Sequence, residues 1–106
     1  MDFALTDDQL AYQQTARQFA QKELKPNAAQ WDRDSYFPVD VIKKTGELGF
    51  LGLYTNPDYD GLGLPRLDSA IVFEELAWGD TAVAAYISIH NMVTWMIGEY
   101  AKDDVR

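Results

Sequence analysis

The sequence predicts an all-α fold, an orthogonal bundle of about five helices. Apolar residues recur at spacings of three and four along most of the chain, and each such run opens on a capping residue or a proline and closes near glycine or proline. Size agrees, because 106 residues with 47% hydrophobic and 25% charged content suit a single domain with its own core. Residues 1–106 are therefore read as one unit, without an internal repeat, a low-complexity tract or a convincing strand.

The first helix starts at "LTDDQL", where Thr6 can accept from the Gln9 amide while the Gln9 side chain reaches back and Leu5 packs on Leu10. Tyr12, Ala16, Phe19, Ala20 and Leu24 share one face until Pro26, which lacks an N–H, breaks or kinks the helix. A short helix is expected from Ala28 to Trp31. In "YFPVDVIKKTGELGFLG", Pro38 suits a first helical turn, Ile42 and Leu48 are expected inside, and Gly46 or Gly49 marks the end. Tyr54 to Pro65 concentrates turn formers without a period and reads as an irregular connection. Asp68 or Ser69 is expected to cap the fourth helix and Gly79 to stop it in the left-handed conformation. Asp80 or Thr81 then caps a fifth helix reaching about Ala101.

A net charge of −8 opposes polyanionic partners, and no basic stripe with interleaved aromatics offsets it, so nucleic-acid binding is excluded. The longest apolar stretch, Ala82 to Ile97, is too short and too polar for a membrane span. Without cysteine there is no disulfide framework, thiolate nucleophile or zinc ribbon. Met1 leads directly to Asp2 and a helix start, so a cytoplasmic location is expected, or the mitochondrial matrix if a leader has been removed.

The usual chemical constellations are missing. Glu74 and Glu75 point about 100° apart on a helix and cannot converge on one substrate atom, so one paired and one solvated carboxylate is expected. His90 is the only histidine and has no acidic or histidine partner at helical metal-site spacing. Gly61 and Gly63 in "GLGLP" are not followed by Lys-Ser/Thr, so they read as a turn rather than a phosphate cradle. Ser88 lies two residues from His90, and two residues apart on a helix face different ways. No catalytic, cofactor-binding or metal-ligating residue is assigned.

The most informative segment is "AYISIHNMVTWMIG", where Ser88, Asn91 and Thr94 fall at every third position in an otherwise apolar run. With Ala84 and Ala85 they form a slanting stripe of small or polar groups, and Tyr86 and His90 form a second stripe four apart. No Asp, Glu, Lys or Arg occurs from Ala82 to Gly98, so this helix is expected to be enclosed by more than this chain alone supplies. Two accounts fit the stripe: hydrogen bonds within a helix–helix seam, or the lining of a cavity.

Three stretches, "FALTDDQLAYQQTARQFAQKELKPNAAQWDR", "FPVDVIKKTGELGFLGLY" and "SAIVFEELAWGDTAVAAYISIHNM", resemble the amino-terminal helical domain of the acyl-CoA dehydrogenases. The resemblance rests on an ordered series: Leu-Thr-x-x-Gln, Arg-x-Phe-Ala, Glu-x-x-Pro, Phe-Pro, Glu-Leu-Gly-Phe-Leu-Gly and Glu-Glu-Leu-Ala. "AYISIHNM" and the following "WMI" look most like the isobutyryl-CoA branch of valine breakdown. One departure falls at Asp60-Gly61-Leu62-Gly63, where the family usually has Gly-Gly-x-Gly.

Members of this family are several times longer and carry a middle β domain and a carboxy-terminal helical bundle. The resemblance implies that those domains hold FAD and the glutamate base, that electrons pass to an electron-transferring flavoprotein, and that the enzyme is a homo-oligomer. Arg106 is accordingly read as a boundary within a longer polypeptide, and this chain by itself as inactive and flavin-free. By position, the family's acyl-CoA pocket would be lined by Ala84, Ala85, Ser88, Ile89 and Met92, with Tyr86 narrowing it. The alternative is a free-standing helical protein–protein interaction module.

Overall fold

The computed structural model describes residues 4–102. Five α-helices follow one another: α1 (Asp7–Phe19), α2 (Ala28–Asp34), α3 (Val39–Glu47), α4 (Arg66–Gly79) and α5 (Thr81–Tyr100). No strand occurs among the described residues. The molecule is a slab of 41 × 39 × 21 Å. Its short dimension is about two helix diameters, so a helix here has one side inside and the other at the surface.

The start of α1 is the reciprocal capping box, with the Gln9 amide donating to Thr6 Oγ1 at 3.1 Å and the Thr6 amide donating to Gln9 Oε1 at 2.9 Å. Pro26 does not simply break the helix. The five residues Ala20–Leu24, just before it, widen into a π-helical turn, closed by the Lys25 amide donating to the Ala20 carbonyl at 2.8 Å. A π turn absorbs the missing donor of Pro26 without stopping the chain's direction abruptly. Ala16, Phe19, Ala20 and Leu24 remain buried through the transition.

Gly79 departs from expectation. It is the last residue of α4 and does not take the left-handed conformation; the chain turns instead at Asp80, which is extended. Its lack of a side chain serves packing, because a Cβ there would stand 2.8 Å from Leu24 Cβ and 2.9 Å from Ala20 Cβ. The end of α4 thus lies directly on the π turn. The left-handed glycine that ends a helix is Gly49, at φ +84° just after α3.

The start of α4 also differs from the sequence reading. Pro65 occupies the cap position and Arg66 opens the helix, so Asp68 and Ser69 lie inside the first turn. Asp68 accepts instead from Gln9 Nε2 at 2.8 Å, tying the starts of α1 and α4 together. Proline's fixed φ lets the helix begin earlier than a side-chain cap would place it.

Leu48 is 41% exposed and not inward as expected, while Phe50, two residues on, is fully enclosed. The core gathers Ala16, Phe19 and Leu24 from the first segment, Ile42 from α3, Phe50 and Leu53 from the following turn, and Val72, Leu76, Val83 and Ile87 from α4 and α5. Enclosing each large aliphatic or aromatic side chain contributes roughly 1.5–3 kcal/mol before the entropy of ordering is counted.

The connection after α3 is irregular but closed. The Leu62, Gly63 and Leu64 amides donate to the Gly52, Thr55 and Leu53 carbonyls at 2.8, 2.9 and 2.8 Å. Asp60 takes the left-handed conformation, φ 66°, at the position where a Gly-Gly-x-Gly pattern would place glycine.

Candidate functional site on the fifth helix

The Asp80 side chain starts α5 by accepting from the Ala82 and Val83 amides at 2.9 and 3.2 Å. From there one line of side chains, Val83, Ala84, Ile87 and Asn91, turns into the core. Asn91 is wholly buried. Its Oδ1 accepts from the Leu53 amide at 2.7 Å, and its Nδ2 donates to the Phe50 and Ile87 carbonyls, both at 2.8 Å. All three partners are backbone groups, and two of them, the Leu53 amide and the Phe50 carbonyl, belong to the turn after α3.

The small and polar stripe therefore divides. Asn91 belongs to the seam of the domain itself, and Ala84 is only 5% exposed beside it. Ala85, Ile89 and Met92 lie on the outer side, with Ser88 half-buried at its margin. At about 100° per residue, Ala85, Ser88, Ile89 and Met92 span an arc of roughly 100° and form one continuous side. Ala84 sits about 40° inward of Ser88.

Tyr86 stands apart from this group, about 160° round the helix from Ser88. Its ring meets Phe37 edge-on at 5.0 Å and lies 6.4 Å from His90. It therefore faces the Phe-Pro segment between α2 and α3, away from the Ser88 side, so Ser88 and Tyr86 do not converge on a common space.

Further along α5, Trp95 is held from two directions. The Arg66 guanidinium lies over both the Tyr54 ring, 4.4 Å away, and the Trp95 ring, 4.8 Å away. Tyr100 meets Trp95 edge-on at 6.0 Å. Sequence reading gave no sign of this cluster, because its members come from three segments.

The two adjacent glutamates divide as expected. Glu75 is buried and takes a bidentate bond from Arg17, Nε to Oε2 and Nη2 to Oε1, each 3.0 Å, while Glu74 is exposed. The bond and charge of Glu75 hold the Arg17 guanidinium above its ordinary value. No group of three or more His, Cys, Asp and Glu able to hold a metal occurs among the described residues. No described helix is long and apolar enough to cross a membrane.

Open grooves lie elsewhere. One of about 570 Å³ is bordered by Trp31, Tyr36, Phe37 and Trp78, another of about 370 Å³ by Thr15, Phe19, Lys44 and Leu48, and one of about 340 Å³ by Arg17, Gln21, Glu74 and Trp78. The Ser88–Met92 side of α5 is by contrast a convex helix surface. It becomes a pocket wall only when something covers it.

Residues 6–106 match the family model described as acyl-CoA dehydrogenase, N-terminal domain. The chain belongs to the acyl-CoA dehydrogenase family. It is 44% identical over 102 residues to mitochondrial isobutyryl-CoA dehydrogenase of Bos taurus, covering 96% of this chain and 24% of that protein. The corresponding protein of Dictyostelium discoideum is 46% identical over the same length and coverage. Acryloyl-CoA reductase (NADH) of Anaerotignum propionicum is 36% identical over 94% of this chain and 25% of its own. Among solved structures, a chain described as the electron transferring flavoprotein of Acidaminococcus fermentans superposes with a TM-score of 0.78 at 27% identity, covering 95% of this chain and 31% of that one. This acyl-CoA dehydrogenase domain thus spans about a quarter of the length of the curated relatives it matches.

Proposed function

We propose that this domain supplies one wall of the acyl pocket in an FAD-dependent dehydrogenase that desaturates a short branched acyl-CoA at its α,β bond. The observation that carries the proposal is the outer side of α5, where Ala85, Ser88, Ile89 and Met92 form an uncharged side and Ile89 and Met92 are 57% and 48% exposed. A helix face of that composition is built to be covered, and small groups beside bulky ones shape a short cavity. Ala84 backs this wall from the core side. Tyr86, turned toward Phe37, is assigned to a neighbouring contact and not to the wall.

The residues of this chain do not fit a flavin. The grooves among its described residues are open, and the Arg17–Glu75 pair beside one of them is already engaged with itself. FAD, which accepts the hydride in this chemistry, and the base that takes the α proton are assigned to polypeptide outside this chain, as is the contact with an electron-transferring flavoprotein. The role of this chain is to orient the acyl group and exclude water from one side. The 106-residue chain alone is accordingly expected neither to bind FAD stoichiometrically nor to oxidise an acyl-CoA.

The test is a comparison of kcat/KM in the full-length protein. An isobutyryl thioester should be preferred over an octanoyl thioester, and Met92→Ala should move the preference toward octanoyl by about tenfold or more, the scale that apolar pocket contacts reach. Equal or better use of octanoyl-CoA by the unsubstituted protein overturns the substrate class, and an unmoved ratio in Met92→Ala overturns the wall.

A further inference from the structure

We propose that Trp95, immobilised by Arg66, is the end wall that limits how far an acyl chain can run along α5. The inference rests on the pocket wall proposed above and adds two residues to it. Trp95 follows Ser88 by seven residues, two turns less about 20°, so its ring rises from the same side of the helix about 10 Å further along. Met92 lies between them on that side. A chain lying against Ala85, Ser88 and Met92 and extending toward the carboxy-terminal end of α5 meets the indole next.

An indole on a surface helix would ordinarily swing aside at little cost. This one has the Arg66 guanidinium over its ring, the same guanidinium lies over the Tyr54 ring, and the indole packs perpendicular to Tyr100. Arg66 opens α4 and Tyr54 lies in the connection after α3, so the stack anchors Trp95 to two segments besides its own. The guanidinium lies 4.4 and 4.8 Å from the two ring centroids, and neither the Arg17–Glu75 pair nor the Lys44–Glu23 pair uses it. Arg66 is thus a positioning residue, acting on the substrate only through Trp95.

The experiment measures kcat/KM for isobutyryl and octanoyl thioesters in the full-length protein carrying Trp95→Ala, Trp95→Phe, Arg66→Ala, Arg66→Lys and the Trp95→Ala/Arg66→Ala pair. Trp95→Ala should raise the octanoyl-to-isobutyryl ratio by about tenfold or more, with Trp95→Phe intermediate. Arg66→Ala should raise it by about threefold, and Arg66→Lys should behave similarly, because an ammonium keeps the charge but lacks the flat face that both rings stack on. In the Trp95→Ala background the Arg66 substitution should add nothing. A purely structural role would lower turnover of both thioesters together and leave the ratio fixed. Should Trp95→Ala not accumulate, Trp95→Phe and Arg66→Ala decide the matter. If Met92→Ala shifts the ratio while the Trp95 and Arg66 variants do not, the end wall is overturned and the pocket wall stands. If none of them shifts it, the pocket wall fails and the end wall with it.

Discussion

Asn91 fixes Leu53 by accepting the Leu53 amide proton at 2.7 Å, a bond between the middle of α5 and the turn after α3 that spans 38 residues of sequence. The same side chain donates to the Phe50 carbonyl at 2.8 Å. One carboxamide therefore satisfies both a donor and an acceptor of a buried turn, which no apolar side chain of similar size could do.

Asn91→Ala is expected to destabilise the domain by about 2–4 kcal/mol, since it leaves the Leu53 N–H and Phe50 C=O enclosed without partners. Asn91→Asp should be no better at neutral pH, because it keeps the acceptor but sets a second oxygen against two carbonyls. Urea unfolding followed by circular dichroism measures both. A loss below about 0.5 kcal/mol for the alanine variant would mean that water replaces the side chain and that the turn is not enclosed.

The loop at Asp60-Gly61 gives a pair of opposite expectations. A Cβ at Gly61 would lie 2.1 Å from the Thr55 carbonyl oxygen, a backbone atom that cannot move aside, so Gly61→Ala should be among the most damaging single substitutions, on the order of 3 kcal/mol or more. Asp60 holds the left-handed conformation at φ 66°, which costs an L-residue about 1–2 kcal/mol. Asp60→Gly removes that strain but adds unfolded-state freedom, for a net gain of about 0.5 kcal/mol. A differential thermal scan should show Tm rising for the second and collapsing for the first.

The Arg17–Glu75 pair offers a test by subtraction. Glu75 is 8% exposed and Arg17 far more open, so the carboxylate bears most of the burial. Arg17→Leu, which strands that carboxylate, should lower Tm by several degrees, and adding Glu75→Leu should recover part of the loss. Because the Arg17 value is raised from one that is already strongly basic, the stabilisation is present below the unfolded value and is lost only as pH climbs through the folded one, so the arginine contributes no pH dependence between pH 6 and 10. A double variant less stable than Arg17→Leu alone would count against this account.

What the sequence made legible follows the range of each interaction. The Thr6–Gln9 box and the Asp80 cap were readable because cap and amide lie within three residues of each other. The family resemblance was readable because it rests on short motifs in order. Gly79 was misread because its use depends on Ala20 and Leu24, far off in sequence, and not on its own φ. Asp68 was misread for the same reason, since its partner is Gln9. The stripe on α5 looked uniform in one dimension, yet Asn91 turns inward and Ala85 outward, and only the packing of the Phe50–Leu53 turn distinguishes them. An asparagine in the middle of an apolar helical run was the available clue. For the Arg66–Trp95 stack there was none.

The outer side of α5 leads to the last expectation, the association of the 106-residue chain on its own. Ile89, Met92, Val93, Met96, Ile97 and Tyr100 are 57%, 48%, 45%, 48%, 40% and 78% exposed along a helix with no Asp, Glu, Lys or Arg from Thr81 to Gly98. Apolar area in water is disfavoured by roughly 25 cal/mol per Å², so two copies gain by pressing these faces together. The net charge of −8 opposes that approach. At low salt the repulsion reaches across about 30 Å and should hold the chain to monomers and small oligomers, whereas at about 1 M salt it is screened within about 3 Å and association should grow. Light scattering across a salt series reads this directly. Ile89→Lys with Met96→Lys, placing two like charges on the face, should return the protein to a monomer at every salt concentration without loss of helix content. A chain that stays monomeric in 1 M salt at high concentration and binds no hydrophobic dye would mean that this face is content in water, and the argument that it is built to be covered would fall.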